Sequence, residues 1–424
     1  ASVWSQWTLS ALAGLLFFSL GAFPALSQER LQLPEKDRSL EAELTDLLSI
    51  GAMDGDEWET FARISSIAFD GDGNLIVLDR GNQRVVKVDG AGDLLAEMGG
   101  AGEGPGEFGA PIGVSVLPDG SIVVFDVRNR GFSIFEPDGT FGRTVPLAGG
   151  FEALPGGEMT PYPSGGVVST GMMMTRVTSG GIQTGGDSET RPIYRYSLDD
   201  GSWEAIFKAW RPGESGPPKI TPGAGGRAVV YAGAGEKVFE PDLHFGILPD
   251  GSLAVVDSVT YAVKVVGEDG VVRRTLMRAI EPRAVSRRDE DREREKRMAA
   301  LAESGGSHIS VSESGGVTRA APSAEVRKSI ADNLEFAEEI PVIQNLAVDW
   351  EGHVWVERCG SDGVEGGPID ILTAHGDYLG TLDRSQVRIP DAFGPNGLVA
   401  FIEKDELDVP RVEVKRLVFS ESLN

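Results

Sequence analysis

Four histidines and one cysteine are spread over 424 residues, and that scarcity limits what chemistry the chain can do. His353 and His375 each stand beside a glycine in a hairpin-turn pattern, and His308 lies in a Gly/Ser-rich stretch. All three read as solvated turn residues. His244 heads an apolar strand and is the histidine placed for a ligand or acid–base role, but no second His or Cys pairs with it in the pattern. Cys359, between Arg358 and Gly360 at a strand end, reads as an inert, half-buried thiol, because a nucleophilic thiol needs a neighbouring histidine. A lone cysteine also excludes an internal disulfide framework and a Cys-rich metal cluster. DGDGN at 70–74 opens like a calcium loop, yet Gly81 stands where the terminal Glu is required, so it reads as a turn. The Gly-rich loop GAGEGPGEF carries Glu103 and Glu107, which repel phosphate. There is no G-x-S-x-G element and no P-loop. No catalytic, cofactor-binding or metal-ligating residue is assigned from these patterns, and no cofactor is expected.

The elements that must position any such residue repeat. Residues 66–100 and 112–147 share one grammar: apolar strand, Asp-Gly turn, apolar strand ending in Asp, polar loop, strand, Asp-Gly turn, strand. Asp72-Gly73 recurs as Asp119-Gly120 and Asp79 as Asp126, each at a step of 47. A period in the forties with four short strands per unit is the signature of propeller blades. Further units read across 243–277 and 345–383, with a degenerate one over 151–210 around the turn Ser164-Gly165-Gly166. The last stretch, 387–419, supplies three strands, around Phe393, over Leu398–Glu403 and over Val412–Phe419. An orphan apolar strand, Leu44 to Ile50, precedes the first complete unit. Pairing it with the last blade closes the ring and removes an exposed edge. The expected fold is therefore an all-β, six-bladed propeller over 44–424.

These units resemble NHL-type repeats and the bacterial six-bladed propeller family of exported proteins. The residues that carry the resemblance are DRGNQRVVKVD at 79–89, GEGPGEF at 102–108, the Pro-Asp-Gly turns, and DELDVP at 405–410. The resemblance implies the fold and an exported location, while such propellers host unrelated activities.

Three long segments fall on the face shared by the strand two–three loops and the blade-to-blade connections: 99–109, the arm 171–192 beginning Met172, Met173, Met174, and 280–341. The third is a helical insertion (281–340) between blades four and five. Arg287 to Lys296 reads RRDEDREREK, five positive and five negative, and includes Arg292 and Arg294. Ser323 to Glu339 reads as a second helix with Val326, Ile330, Leu334 and Ala337 on one stripe. Residues 304–322 between them are expected to be mobile.

Residues 1–28 contain no charged side chain. A signal peptide cleaved after Ser27 and a retained anchor both fit. Trp4 to Leu26 spans 23 residues, long enough as a helix for a bilayer core of about 30 Å. Trp4 and Trp7 suit an interface, and Gly14, Phe17 and Phe18 suit helix packing. The expectation is a retained single-pass anchor at 1–28 and a linker at 29–43, with the propeller on the periplasmic side of a bacterial inner membrane. The alternative is a secreted or periplasmic protein. The formal net charge of −26 argues against nucleic acid as a partner.

The functional expectation is a non-catalytic accessory subunit of a membrane protein complex, in contact with the lipid bilayer through its anchor. By architecture, anchor plus propeller resembles the accessory subunit of bacterial photosynthetic reaction-centre–light-harvesting complexes. Partner contacts are then expected at Trp4, Trp7, Gly14, Phe17, Phe18, Met172, Met173, Met174, Arg292 and Arg294. The alternatives are an exported propeller hydrolase or lactonase with a metal in its central channel, or a solute-binding propeller.

Overall fold

Alternating apolar residues broken by Asp-Gly turns make short antiparallel strands, because glycine supplies the positive φ that a two-residue hairpin needs. Gly73 and Gly120 adopt φ of +85° and +86° at the recurring turn. The computed structural model describes residues 28–53, 55–150, 153–172, 175–178, 181–184, 189–213, 220–223, 227–230, 237–303, 309–312, 317–319, 324–360 and 366–421. Six antiparallel sheets form the blades of a propeller. From the innermost strand outward, blade 1 is Ile64–Phe69, Leu75–Asp79, Arg84–Val88 and Leu94–Gly99. Blade 2 is Pro111–Val116, Ile122–Asp126, Gly131–Phe135 and Phe141–Pro146. Blade 3, the degenerate unit, is Thr160–Pro161, Val167–Thr170, Thr190–Tyr196 and Trp203–Trp210. Blade 4 is His244–Ile247, Leu253–Val256, Ala262–Val266 and Val272–Met277, and blade 5 is Ile343–Val348, His353–Arg358, Ile369–Thr373 and Tyr378–Leu382. Blade 6 takes Ala392–Phe393, Leu398–Lys404 and Pro410–Glu421 from the end of the chain and Leu40–Ile50 from its beginning.

The aspartate that ends the second strand has a defined job. Asp79, fully buried, accepts hydrogen bonds from the backbone N–H groups of Ala62 (3.2 Å) and Arg63 (2.9 Å). Asp126 accepts from Gly109 (2.6 Å), Ala110 (3.0 Å) and Asn129 (2.8 Å). Each carboxylate ties its own loop to the segment arriving from elsewhere in the ring, so it satisfies donors that a turn would otherwise bury unpaired. The DGDGN stretch is a turn: Asp70 accepts from the backbone N–H groups of Asp72 and Asn74 and pairs with Lys87 at 2.9 Å.

Residues 29–43 are not a linker but part of a strap. Glu29–Gln32 adds a parallel strand to the outer edge of blade 4. Arg38 then donates to the Leu379 carbonyl of blade 5, and Leu40–Ile50 becomes the outer strand of blade 6 along Pro410–Glu421. The strap is held by a buried ion cluster. Arg278 donates to Asp370 at 2.8 and 3.0 Å, to Asp37 at 2.6 Å and to the Pro34 carbonyl at 2.7 Å. Its guanidinium lies 4.8 Å from the Tyr378 ring centroid, while Thr381 donates to Asp370 at 2.6 Å.

The helical insertion is more structured than its composition suggests. Helix α1 runs Arg287–Glu303 and α2 runs Ala324–Asp332, so Leu334 and Ala337 fall beyond α2. Ser286 and Asp289 cap α1 reciprocally: each backbone N–H donates to the other's side chain, at 2.9 and 3.3 Å. Arg283 also donates to Asp289 at 2.8 and 3.0 Å and, with that capping, holds its carboxyl well below the usual range. The stretch 304–322 was expected to be mobile. Two segments of it, Ile309–Ser312 and Val317–Arg319, instead join Ile220–Gly223 and Arg227–Val230 in one sheet by backbone pairing, and the rest of that stretch lies outside the described residues.

The anchor assigned to 1–28, with Trp4, Trp7, Gly14, Phe17 and Phe18, lies outside the described residues except for Gln28, as do Met173, Met174 and His308. Among the described residues no helix is long and apolar enough to cross a membrane.

Breaking the buried ion cluster is expected to be costly, because the fully buried Arg278 then loses its buried counter-charge and keeps only the half-exposed Asp37. Asp370→Ala is expected to lower unfolding free energy by about 3–5 kcal/mol, whereas Glu29→Ala at the exposed end of the strap changes it by less than about 1 kcal/mol. Denaturant titration of the two variants checks the contrast.

Candidate functional site

Inner strands from all six blades enclose a channel with three compartments that share walls. The upper one, about 710 Å³, lies beneath α1. Arg292, Glu293, Lys296 and Arg297 of α1 line it opposite His244, Glu357 and Arg384. The middle one, about 430 Å³, is walled by Ser65, Glu158, Asn345, Arg388 and Asp391, among others. The lower one, about 560 Å³, reaches the face of the strand one–two turns and includes Met159, Phe245, Trp350 and Phe393.

Glu158 lines both the middle and the lower compartments. Local packing puts it there. Ala153, Leu154 and Met159 are buried and fasten the segment to the core shared with blade 2. Ser169 Oγ donates to the Glu158 carbonyl at 2.6 Å. Gly113, on the inner strand of blade 2, is required for close approach, since a Cβ there would stand 2.2 Å from the Gly157 carbonyl oxygen. The Glu158 side chain is exposed to the channel lumen, with the inner strands of the ring around it. This enclosure raises its pKa first, and the charge of Asp391 raises it further.

Asp391 is held by Arg388, whose guanidinium donates to it at 2.8 Å, and by the Ile402 N–H at 2.8 Å. Arg388 also donates to Glu403 at 3.1 Å and lies 4.9 Å from the Phe401 ring centroid. Burial opposes its charge, but these carboxylates raise its pKa on balance. Arg384 pairs with Glu357 at 3.0 Å. The middle compartment therefore holds a carboxyl with a raised pKa beside arginines that are already paired. It suits an uncharged polar ligand and proton transfer.

His244 lines the channel mouth, where its place at the head of the strand had put it. Burial lowers its pKa first and Arg191 adds to this, against the charge of Asp242, so the ring is neutral near pH 7. His375 is an exposed turn residue, as expected. His353 is not simply solvated, because its Nδ1 lies 2.9 Å from Asp349. Cys359 is half-buried, and burial pushes its thiol pKa up. Met172 is half-buried against the core of blades 2 and 3. Arg292 faces the channel, but Arg294 lies on another side of α1, 4.8 Å from the Phe336 ring centroid and paired with Glu290 at 3.1 Å.

Among the described residues, no three metal-capable side chains converge on the channel walls. Asn345 Oδ1 accepts from the Leu346 N–H at 2.8 Å, and Asp391 is occupied as described. Among the described residues, one group of three metal-capable side chains converges: Asp349, Glu351 and His353 in the turn of blade 5. There Asp349 Oδ2 already receives His353 Nδ1 and the Trp355 indole N–H at 3.0 Å.

Sequence patterns missed Glu158, Arg388 and Asp391. The available signal was weak: Glu158 and Asp391 each stand one or two residues before an innermost strand, Thr160–Pro161 and Ala392–Phe393, where a side chain meets the channel.

No family model and no curated protein matches this chain. Several solved structures are similar in fold. Virginiamycin B lyase from Staphylococcus aureus, solved with quinupristin, is 12% identical with a TM-score of 0.39, covering 89% of this chain and 100% of that one. A gluconolactonase from Xanthomonas campestris is 13% identical with a TM-score of 0.39, covering 89% and 90%. A Bacteroides fragilis protein described as exported is 11% identical with a TM-score of 0.45, covering 92% and 99%. Nothing about ligand or reaction is carried over from likenesses this shallow. The six sheets themselves identify the chain as a six-bladed β-propeller.

A raised carboxyl pKa carries a stability signature. The folded pKa of Glu158 lies above its unfolded value. Its penalty is therefore absent below the unfolded pKa of about 4.3 and is complete once pH exceeds the folded pKa. Glu158→Gln is expected to raise the melting temperature near pH 7 and leave it unchanged near pH 4, as thermal scans at the two pH values would show.

Proposed function

We propose that this propeller binds a small, uncharged polar solute in its central channel and hydrolyses an ester or lactone bond in it. The observation that carries the reading is the carboxyl of Glu158, which faces the channel lumen beside Asp391 at the junction of two compartments. A carboxyl with a raised pKa can remain protonated in a range where ordinary glutamates are ionised, so it can act as a general acid. Glu158 gives its proton to the leaving oxygen and regains one from the attacking water, so the net reaction consumes one water molecule. Arg388 holds Asp391 in place, and the charge of Asp391 keeps the Glu158 carboxyl poised to donate.

The accessory-subunit reading rests on an anchor whose residues lie outside the described chain. Nothing among the described residues bears on a photosynthetic complex. The capped channel favours a solute site instead.

The test is hydrolysis of a panel of aliphatic lactones and carboxylic esters by the full chain. At least one member is expected to be turned over, and Glu158→Gln is expected to lower kcat by about 10²–10⁴-fold while KM changes little. Turnover that persists in Glu158→Gln, or no turnover of any member, contradicts the proposal.

A further inference from the structure

We infer that the solute is bipartite, with a neutral polar head in the middle compartment and an apolar acyl or aryl tail in the lower one. The inference rests on the channel-site reading and adds the substrate class to it. Three observations carry it.

The first is the change of wall character along one continuous channel. Above Glu158 the middle compartment sets Asn345, Glu357, Arg384, Arg388 and Asp391 among apolar residues, with Arg388 and Asp391 bound to each other. Below it, the lower compartment includes Val114, Met159, Phe245, Ile247 and Phe393. Contact with such walls favours groups that leave water readily.

The second is position. Glu158 and Asp391 border both compartments, so the proton-transferring group lies at the boundary. A bond cleaved there has one side among polar walls and the other among apolar ones. The third is space. The lower compartment, about 560 Å³, is far larger than a water site and falls within the roughly 300–1,000 Å³ of small-molecule pockets. Trp350 lines it and is 46% exposed, so a bound tail could cover its ring.

The test uses glycerol monoesters of alkanoic acids from butanoyl to dodecanoyl as probes, whose ester joins a neutral polar head to an apolar tail, with binding to the full chain measured by calorimetry. Affinity is expected to rise about three- to fourfold for each methylene added, until the tail fills the compartment. Tryptophan emission should change with the longer members, and Trp350→Phe should remove most of that change. Gly71 also lines the lower compartment, and a Cβ there meets nothing within 4 Å. Gly71→Trp is therefore expected to fold and to flatten the chain-length series. Should that variant fail to fold, the series on the unaltered chain still decides. Affinity independent of tail length, with Glu158→Gln still lowering kcat for ester or lactone hydrolysis, overturns the bipartite substrate and leaves the channel reading standing. No binding and no hydrolysis at any chain length overturns both.

Discussion

Six sheets enclose a channel only while the ring stays closed, and closure here depends on one pairing between the two ends of the described chain. Leu40–Ile50 lies along Pro410–Glu421 as the outer strand of blade 6, from Leu40 opposite Glu421 to Ile50 opposite Val412. Without it the last blade would have three strands and an open edge. The strand does not act alone. It continues a strap that begins on blade 4, crosses blade 5 at Arg38 and is fixed beneath by Arg278 and Asp370, both buried. Two charges removed from water are tolerable only because each finds its counterpart and further hydrogen bonds. The pair is thus a register pin for the strap as much as a source of stability.

Closure sets the geometry of the channel. The innermost strands hold their positions, so the short connections leading into them place side chains reproducibly over the axis. Glu158 arrives on the connection into blade 3, and Arg388 and Asp391 arrive on the connection into blade 6. Enclosure and the facing charge of Asp391 then act on the Glu158 carboxyl together. The chain carries a formal charge of −26, but the walls around this carboxyl pair arginine with acid, so the solute meets local polarity and not the field of the whole surface. Helix α1 lines one end of the channel, opposite the end with the more apolar walls.

Much of this architecture is legible in the sequence because it is local. The Asp-Gly turns, the strand-ending Asp79 and Asp126 and the period-two strands declare the blades within a few dozen residues, and the three C-terminal strands imply a fourth supplied from elsewhere. The strap over 29–43 is less legible, because Arg278 and Asp370, which hold it, lie far along the chain. The sheet joining Arg227–Val230 to Ile309–Ser312 is hidden in the same way, since Gly- and Ser-rich flanks read as loop and its partners come from two separate insertions. The site is the least legible part. Glu158 and Asp391 belong to no motif, and only the closure of the ring makes them neighbours. A search for paired histidines, cysteines or spaced carboxylates passes over them.

The central claim is that the channel holds the carboxyl of Glu158 protonated beyond the range of an ordinary glutamate. Titration of the full chain with ¹³C-labelled glutamate side-chain carboxyls, followed by NMR, tests it without a substrate. The account predicts a carboxyl resonance that titrates clearly above the roughly 4.3 of free glutamate. That resonance should be missing from Glu158→Gln and should titrate lower in Asp391→Asn. A Glu158 resonance that titrates with the exposed glutamates, unmoved by Asp391→Asn, would contradict it.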